Sequence, residues 1–328
     1  MPVPLKAGET LRNRYKIKHI IGQGGMGSIY LAEDLRLEGR QCALKEVELD
    51  KSLPRDLARE ARDQFFREAS VLARLDHPNL PKVSDFFSIS NRDYLIMDYV
   101  PGKDLRTLML EARQDNRFLD EIDVLAWANQ LADALSYLHN LQPPVLHRDI
   151  KPSNLKLTPA GLLKLVDFGL VKVLMPGEVT ITVLQGQGTA IYTPLEQLGG
   201  DSGHTDARSD IYTFGATLYN LLTNQAPTEA RERFLDPSLF IAPRKINPLI
   251  SLRTEKAILW AMGLHPNERP ESVEVFRQSL FAQVPISPLR PAVHKYSIRD
   301  YLRLPLERIL TYLTIGIIGI SLLVALIR

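Results

Sequence analysis

The chain holds a single cysteine, Cys42, among 328 residues. One thiol makes no intramolecular disulfide, so stability must come from a buried core, and a reducing compartment is expected. The first ten residues, MPVPLKAGET, lack the apolar run that a cleavable signal peptide needs. No excess charge of one sign is present either. Forty basic against 38 acidic residues leave +2, too even for a chain whose partner is nucleic acid. Internal repeats and low-complexity tracts are absent. With 45% apolar and 24% charged residues, collagenous, coiled-coil and wholly disordered chains are excluded. At roughly 150 residues per unit, the length suits two folded units or one large two-lobed domain.

One further absence is local. From Ile309 to Ile327 the sequence ILTYLTIGIIGISLLVALI runs nineteen residues without a charge. As a helix it would be about 28 Å long, close to the hydrocarbon thickness of a bilayer. A buried core helix is the alternative, but core helices usually keep a polar stripe, which this run lacks. The expectation is a transmembrane helix over 309–327, with membrane lipid as a partner. Pro285, Pro288 and Pro291 among scattered basic residues mark 285–308 as a juxtamembrane linker. Arg290, Lys295, Arg299, Arg303 and Arg308 precede the run, and Arg328 alone follows it. The positive-inside bias therefore puts the N-terminal side in the cytoplasm of a single-pass cell-membrane protein.

The remaining body divides once. Residues 14–100 alternate β-like runs (YKIKHII, SIYLAE, QCALKEVEL, KVSDFFSI, DYLIMDYV) with glycine and polar breaks. One helix follows Pro54, where Leu57, Ala61, Phe65, Phe66, Ala69, Leu72 and Leu75 recur at three- and four-residue spacing. From about residue 102 to 284 helical periodicity dominates, first in Leu125, Ala128, Leu131, Leu135 and Leu138. The fold class is α+β: a sheet-rich lobe, then a larger helical lobe, with residues 1–13 as an N-terminal extension.

Chemistry enters with Gly22-Gln23-Gly24-Gly25-Met26-Gly27. GxGxxG before a helix would suggest a dinucleotide site, but here a second strand, Ser28-Ile29-Tyr30-Leu31, follows. A glycine hairpin lets backbone amides approach a triphosphate with no Cβ in the way, although a plain turn has the same pattern. Ala43-Leu44-Lys45 then places a lysine on a strand, and Glu68 on the helix after Pro54 is a candidate partner. Taken singly, each reads as a solvated charge, and it is their order and spacing that argue for a pair. His147-Arg148-Asp149-Ile150-Lys151-Pro152-Ser153-Asn154 and Asp167-Phe168-Gly169 form the most specific cluster. His77, His139, His204 and His265 lack metal-ligand spacing and read as capping or packing residues. Cys42 reads as a small core residue.

These pieces, in this order and spacing, resemble the eukaryotic-type protein kinases, and RYKIKHIIGQGGMGSIYLAED with HPNLPKV resembles their bacterial Ser/Thr members. The resemblance implies a two-lobed kinase domain over 14–284, with an N-lobe of 14–98 and a C-lobe of 102–284, facing the cytoplasm. It implies ATP and Mg2+ (or Mn2+) as cofactors, protein Ser/Thr hydroxyls as acceptors, a second copy of the chain as a further partner, and no nucleic acid. Asp149 would orient the substrate hydroxyl with Lys151 beside it. Asn154 and Asp167 would hold metal, and Lys45 would grip the phosphates with Glu68 behind it. Gly22, Gly24 and Gly27 would cover the nucleotide, Ile29 and Ala43 would sandwich the adenine, and Met97, Asp98 and Val100 would form the gatekeeper and hinge. Leu72, His147 and Phe168 would pack as a regulatory spine. Arg148 would meet phosphates on Thr180 and Thr182, and Thr189 would touch Asp149 and Lys151. Asp210 would tie down the catalytic loop, and Glu196 would pair with Arg269. The family's APE reads Pro194-Leu195-Glu196 here, which leaves the substrate-facing loop open to a different shape. A pseudokinase scaffold would lack one of Lys45, Asp149, Asn154 or Asp167, and all are present. A small-molecule kinase is the other alternative, opposed by the long segment from Gly169 to Glu196 and by Gly188-Thr189.

Overall fold

Period-two patterning in the first lobe is satisfied by a six-stranded antiparallel sheet in the order β1-β2-β3-β4-β6-β5. Its strands are β1 (Thr10–Leu11), β2 (Tyr15–Gly24), β3 (Gly27–Asp34), β4 (Gln41–Glu48), β5 (Val83–Ile89) and β6 (Arg92–Asp98), with helix α1 (Arg55–Leu72) between β4 and β5. The computed structural model describes residues 4–24, 27–48, 55–89, 92–167, 172–173, 190–198 and 205–281. The expected linker and the apolar run at 309–327 lie outside them. Among the described residues no helix is long and apolar enough to cross a membrane.

Each face of the sheet has its own core. Tyr15, Ile17, Tyr30, Ala32, Cys42, Leu44, Phe87, Tyr94 and Ile96 pack on the outer face. Each apolar side chain buried in this way contributes about 1.5–3 kcal/mol, most of which ordering entropy offsets. Residues 5–11 are tied into this layer: β1 pairs with β2, and the Leu5 N–H donates to the Tyr30 hydroxyl at 3.0 Å. Buried polar groups there are paired. Tyr30 donates to Glu46 at 2.8 Å, Arg92 meets the other Glu46 oxygen at 2.7 Å, and Arg14 grips Asp34 through two nitrogens at 2.8 and 2.7 Å. Cys42 is buried, and burial pushes its thiol up to about 11. The opposite face presents Ala43, Leu95 and Met97 to a core continuous with the second lobe.

The second lobe begins after β6 with β7 (Lys103–Asp104), α2 (Leu105–Gln114) and α3 (Glu121–His139). Then come short strands β8 (Val145–Leu146), β9 (Leu155–Leu157), β10 (Leu163–Leu165) and β11 (Lys172–Val173). The remaining helices are α4 (Leu195–Leu198), α5 (Ala207–Thr223), α6 (Ala230–Leu235), α7 (Pro243–Ile246), α8 (Leu252–Ala261) and α9 (Val273–Phe281). Asp120 caps α3 by accepting from the Ile122 N–H, and Val124, Ala128, Leu131, Leu135 and Leu138 form its buried stripe. Helix α5 is buried on every side from Ser209 to Thr223, as a central helix surrounded by others must be.

The lobes are joined after Asp98 through Pro101-Gly102, and Gly102 adopts φ 106°. A Cβ there would stand 2.1 Å from the Leu157 carbonyl oxygen on β9. The lobe connection therefore depends on glycine for both conformation and space. Gly102→Ala is expected to destabilise the protein by about 1–3 kcal/mol, measured as a lower urea midpoint at unchanged slope.

Candidate active site

The glycine-rich segment forms a hairpin. Gly22 pairs with Ile29, Gln23 with Ser28 and Gly24 with Gly27 across β2 and β3. Gly25 and Met26 lie outside the described residues. Gly27 has φ 140°, and a Cβ on it would fall 2.1 Å from the Glu46 carbonyl oxygen, so the hairpin closes directly onto β4. Sheet register brings Ile29, Ala43, Lys45 and Met97 together, with Ile29 opposite Lys45 and Ala43 opposite Met97. Asp98 ends β6, where its carboxylate accepts from the Lys82 N–H at 3.2 Å and from Arg40 at 3.4 Å. Val100 is buried beyond it.

Across the cleft stand the residues of the Arg148–Asn154 segment. Lys151 pairs with Asp149 Oδ2 at 2.9 Å, and Asn154 Nδ2 donates to the Asp149 carbonyl and to Oδ2 at 2.8 and 2.9 Å. Asp149 Oδ1 is buried and has no partner among the described residues. With its nitrogen committed to Asp149, Asn154 keeps its amide oxygen for a cation. The Asp167 carboxylate and this amide oxygen are the hard donors Mg2+ prefers, and Mg2+ completes its shell from water and phosphate. No cluster of three or more His, Cys, Asp or Glu that could hold a metal exists among the described residues.

Lys45 departs from expectation. Its ammonium pairs with Asp167, not with Glu68. Asp167 takes the left-handed conformation at φ 65°, and its carboxylate meets the lysine. Burial would push the Asp167 carboxyl up, but Lys45 overrides this and holds it below the ordinary range. Glu68 instead accepts from Gln64 of its own helix at 3.0 Å, and burial pushes its carboxyl up despite the opposing charge of Arg148. Arg148 is also left-handed, at φ 66°, with Nε buried and unpartnered among the described residues.

One carboxylate organises the segment. Asp210, at the start of α5 and fully buried, accepts from the His147 and Arg148 N–H groups at 2.9 and 2.8 Å and pairs with His139 at 2.9 Å. Burial alone would raise its pKa. The His139 hydrogen bond, with the electrostatic contributions of His139 and His147, holds it low. His139 thus serves the site rather than a helix end. His77 and His265 accept from the backbone N–H groups of Asn79 and Asn267, within the capping or packing expected of them. The Leu72 and His147 spine positions are buried. Phe168, Thr180, Thr182, Thr189 and His204 lie outside the described residues.

Glu196 and Arg269 form a bidentate pair at 2.6 and 3.0 Å, reinforced by the Ser209 hydroxyl on Glu196 and by three backbone carbonyls on Arg269. The early proline of Pro194-Leu195-Glu196 leaves this pair intact.

A profile of the protein kinase domain matches residues 15–280. The chain belongs to the protein kinase family. It is 34% identical over 288 residues to a probable serine/threonine-protein kinase of Streptomyces coelicolor, covering 83% of this chain and 40% of that protein. Serine/threonine-protein kinase PrkC of Bacillus subtilis is 31% identical over 274 residues, covering 81% of this chain and 40% of PrkC. The matched region therefore spans about two fifths of these relatives. The crystal structure of the Mycobacterium tuberculosis PknI kinase domain superposes with TM-score 0.64 at 26% identity, covering 85% of this chain and all of that one (100%).

The ion pair joins Glu196 on α4 to Arg269 between α8 and α9. Arg269 is fully buried, so removing it strands a carboxylate. Arg269→Ala is expected to cost about 3–5 kcal/mol, read by chemical denaturation.

Proposed function

We propose that the chain is a Ser/Thr protein kinase that transfers the γ-phosphate of ATP to protein hydroxyls, tethered to the cytoplasmic face of a membrane. The observation that carries the activity is the Asp149–Asn154–Lys151 cluster facing Lys45 and Asp167 across one cleft. Phosphoryl transfer asks the protein for position and charge compensation. Asp149 has Oδ2 engaged and Oδ1 buried without a partner among the described residues, so Oδ1 is the atom that takes the hydrogen bond, then the proton, of the acceptor hydroxyl. Lys151 supplies a cation beside it. Lys45 serves the nucleotide phosphates, and Asn154 and Asp167 would hold Mg2+, which would neutralise phosphate charge there. Lys45 and Asp167 are joined here, so they must part before each meets its own ligand. The exchange makes the cleft switchable through α1, which carries Glu68.

Asp149→Asn is expected to lower kcat by about 10²–10⁴-fold, measured as radiolabelled γ-phosphate transfer to a generic protein substrate. Asp167→Asn and Lys45→Met are expected to abolish transfer with the fold retained. Undiminished transfer by these variants would remove the site assignment. Transfer only to small molecules would favour that alternative, and no transfer by the wild type would favour a scaffold.

Control through the activation segment follows from Arg148. Its guanidinium is buried, and burial depresses its pKa against the opposing charges of Asp210 and Glu68. Thr180 and Thr182 stand eleven and thirteen residues past Gly169. A phosphate there would give the arginine a bidentate anionic partner. Phosphate on one or both threonines is expected in active protein by mass spectrometry. A fully active enzyme with both unmodified would refute the proposal.

The tether rests on the uncharged run at 309–327 and its cationic flank. The full chain is expected to sediment with membranes and resist carbonate extraction, and a chain truncated after Pro285 is expected to stay soluble and active. Full-length protein remaining in the soluble fraction would defeat the anchor alone.

A further inference from the structure

Three helix termini meet at the pole of the helical lobe where the described chain ends. Ser251 ties the start of α8 to the start of α3, donating from its N–H and hydroxyl to the two Glu121 carboxylate oxygens at 2.9 and 2.7 Å. Arg253 ties α8 to the end of α9, donating to the Phe281 carbonyl at 3.4 Å. Arg277 holds α9 along α3 through Asn129 and Asp133, at 2.8 and 3.2 Å.

Beside these ties four large apolar side chains face solvent: Ile122 at 77% exposure, Leu249 at 82%, Leu252 at 51% and Phe281 at 42%. Their neighbours Val124, Ile250 and Leu280 are buried. The core is therefore already supplied at these positions, and the four exposed groups are additional to it. Single exposed leucines are ordinary, but four at one junction make a patch.

The course of the chain argues for what covers the patch. Phe281 is followed by 27 residues, 282–308, before the uncharged run begins. Fully extended, a tether of that length reaches at most about 90–100 Å, and its attachment point is the patch itself. Any anchoring of 309–327 holds this pole closer to the bilayer than connectivity holds any other part of the described fold. The charges around the patch balance: Arg244, Lys245, Arg253 and Lys256 against Asp120, Glu121, Asp123 and Glu255. The five linker cations would be drawn to anionic headgroups, an attraction that salt screens. Apolar side chains leaving water gain by a route that salt does not screen.

We propose that Ile122, Leu249, Leu252 and Phe281 form a lipid-contacting face that seats the helical lobe on the bilayer interface. The proposal rests on the reading of 309–327 as a membrane anchor. Interfacial seating of this kind depends on buried apolar area, so it should persist at high salt.

The test places a nitroxide on the full chain in phosphatidylcholine–phosphatidylglycerol vesicles, through Leu249→Cys or Ile122→Cys. Leu37→Cys, at 48% exposure in the sheet lobe, is the aqueous reference. Cys42 is buried with its thiol pushed up to about 11, so it does not compete for the label. The readout is collisional access to oxygen against a water-soluble nickel chelate. A several-fold shift toward oxygen at 249 and 122 relative to 37, unchanged at high salt, is expected. The aqueous pattern at 249 and 122 in protein that floats with the vesicles would overturn the lipid face and leave the anchor standing. Dipolar broadening at 249 that fades on dilution with unlabelled protein, without oxygen enrichment, would assign the patch to a second copy and overturn the proposal. Protein that fails to float would overturn anchor and face together.

Discussion

The cleft depends on one buried carboxylate. Asp210 receives two consecutive backbone N–H groups, from His147 and Arg148, and the ring of His139. Arg148 is held in the left-handed region, which a non-glycine residue occupies at a cost of order 1–3 kcal/mol. The paired hydrogen bonds to a charged, water-excluded acceptor are the compensation, since charge-assisted bonds are about twice as strong as neutral ones. That turn sets the direction of the chain into Asp149. The Asp149–Lys151–Asn154 geometry is thus an outcome of how α5 is buried. A helix buried on every side places Asp210 where water cannot compete for it.

Much of this was legible in the sequence, for identifiable reasons. Period-two runs became β2 to β6, and the stripe in α3 kept the expected spacing at Ala128, Leu131, Leu135 and Leu138, while Val124 rather than Leu125 is buried at its start. The pairing of Glu196 with Arg269 was placed through the family resemblance, and the structure shows the pair. Asp210 was placed through the family resemblance, but its His139 partner was not, since no short-range pattern links positions 71 residues apart. Nor did the sequence indicate the left-handed turns at Arg148 and Asp167. Neither residue is glycine, and the conformation is imposed by surrounding contacts. The outer-face pairs Tyr30–Glu46 and Arg14–Asp34 were equally hidden, because strand alternation marks Glu46 only as opposite in face to Lys45.

Lys45 is the instructive miss. Order and spacing bring Lys45, Glu68 and Asp167 near one another, yet they do not decide which carboxylate the ammonium takes. That choice turns on helix α1 and on the backbone at Asp167. In the structure the lysine and Asp167 neutralise each other, while Glu68 bonds within its own helix and faces the charge of Arg148. Two cations and two carboxylates in a poorly hydrated cleft have more than one neutral pairing. The proposed switch requires that a shift of α1 bring Glu68 to Lys45 and so exchange one pairing for another.

The most direct test of this account is Asp210→Asn, which keeps shape while removing the charge. Hydrogen–deuterium exchange over residues 145–154 is read by mass spectrometry, together with kcat. The account predicts faster exchange in that segment and a fall in kcat, with α5 and the outer-face sheet core protected as in the wild type. Unchanged exchange over 145–154 with undiminished kcat would contradict it.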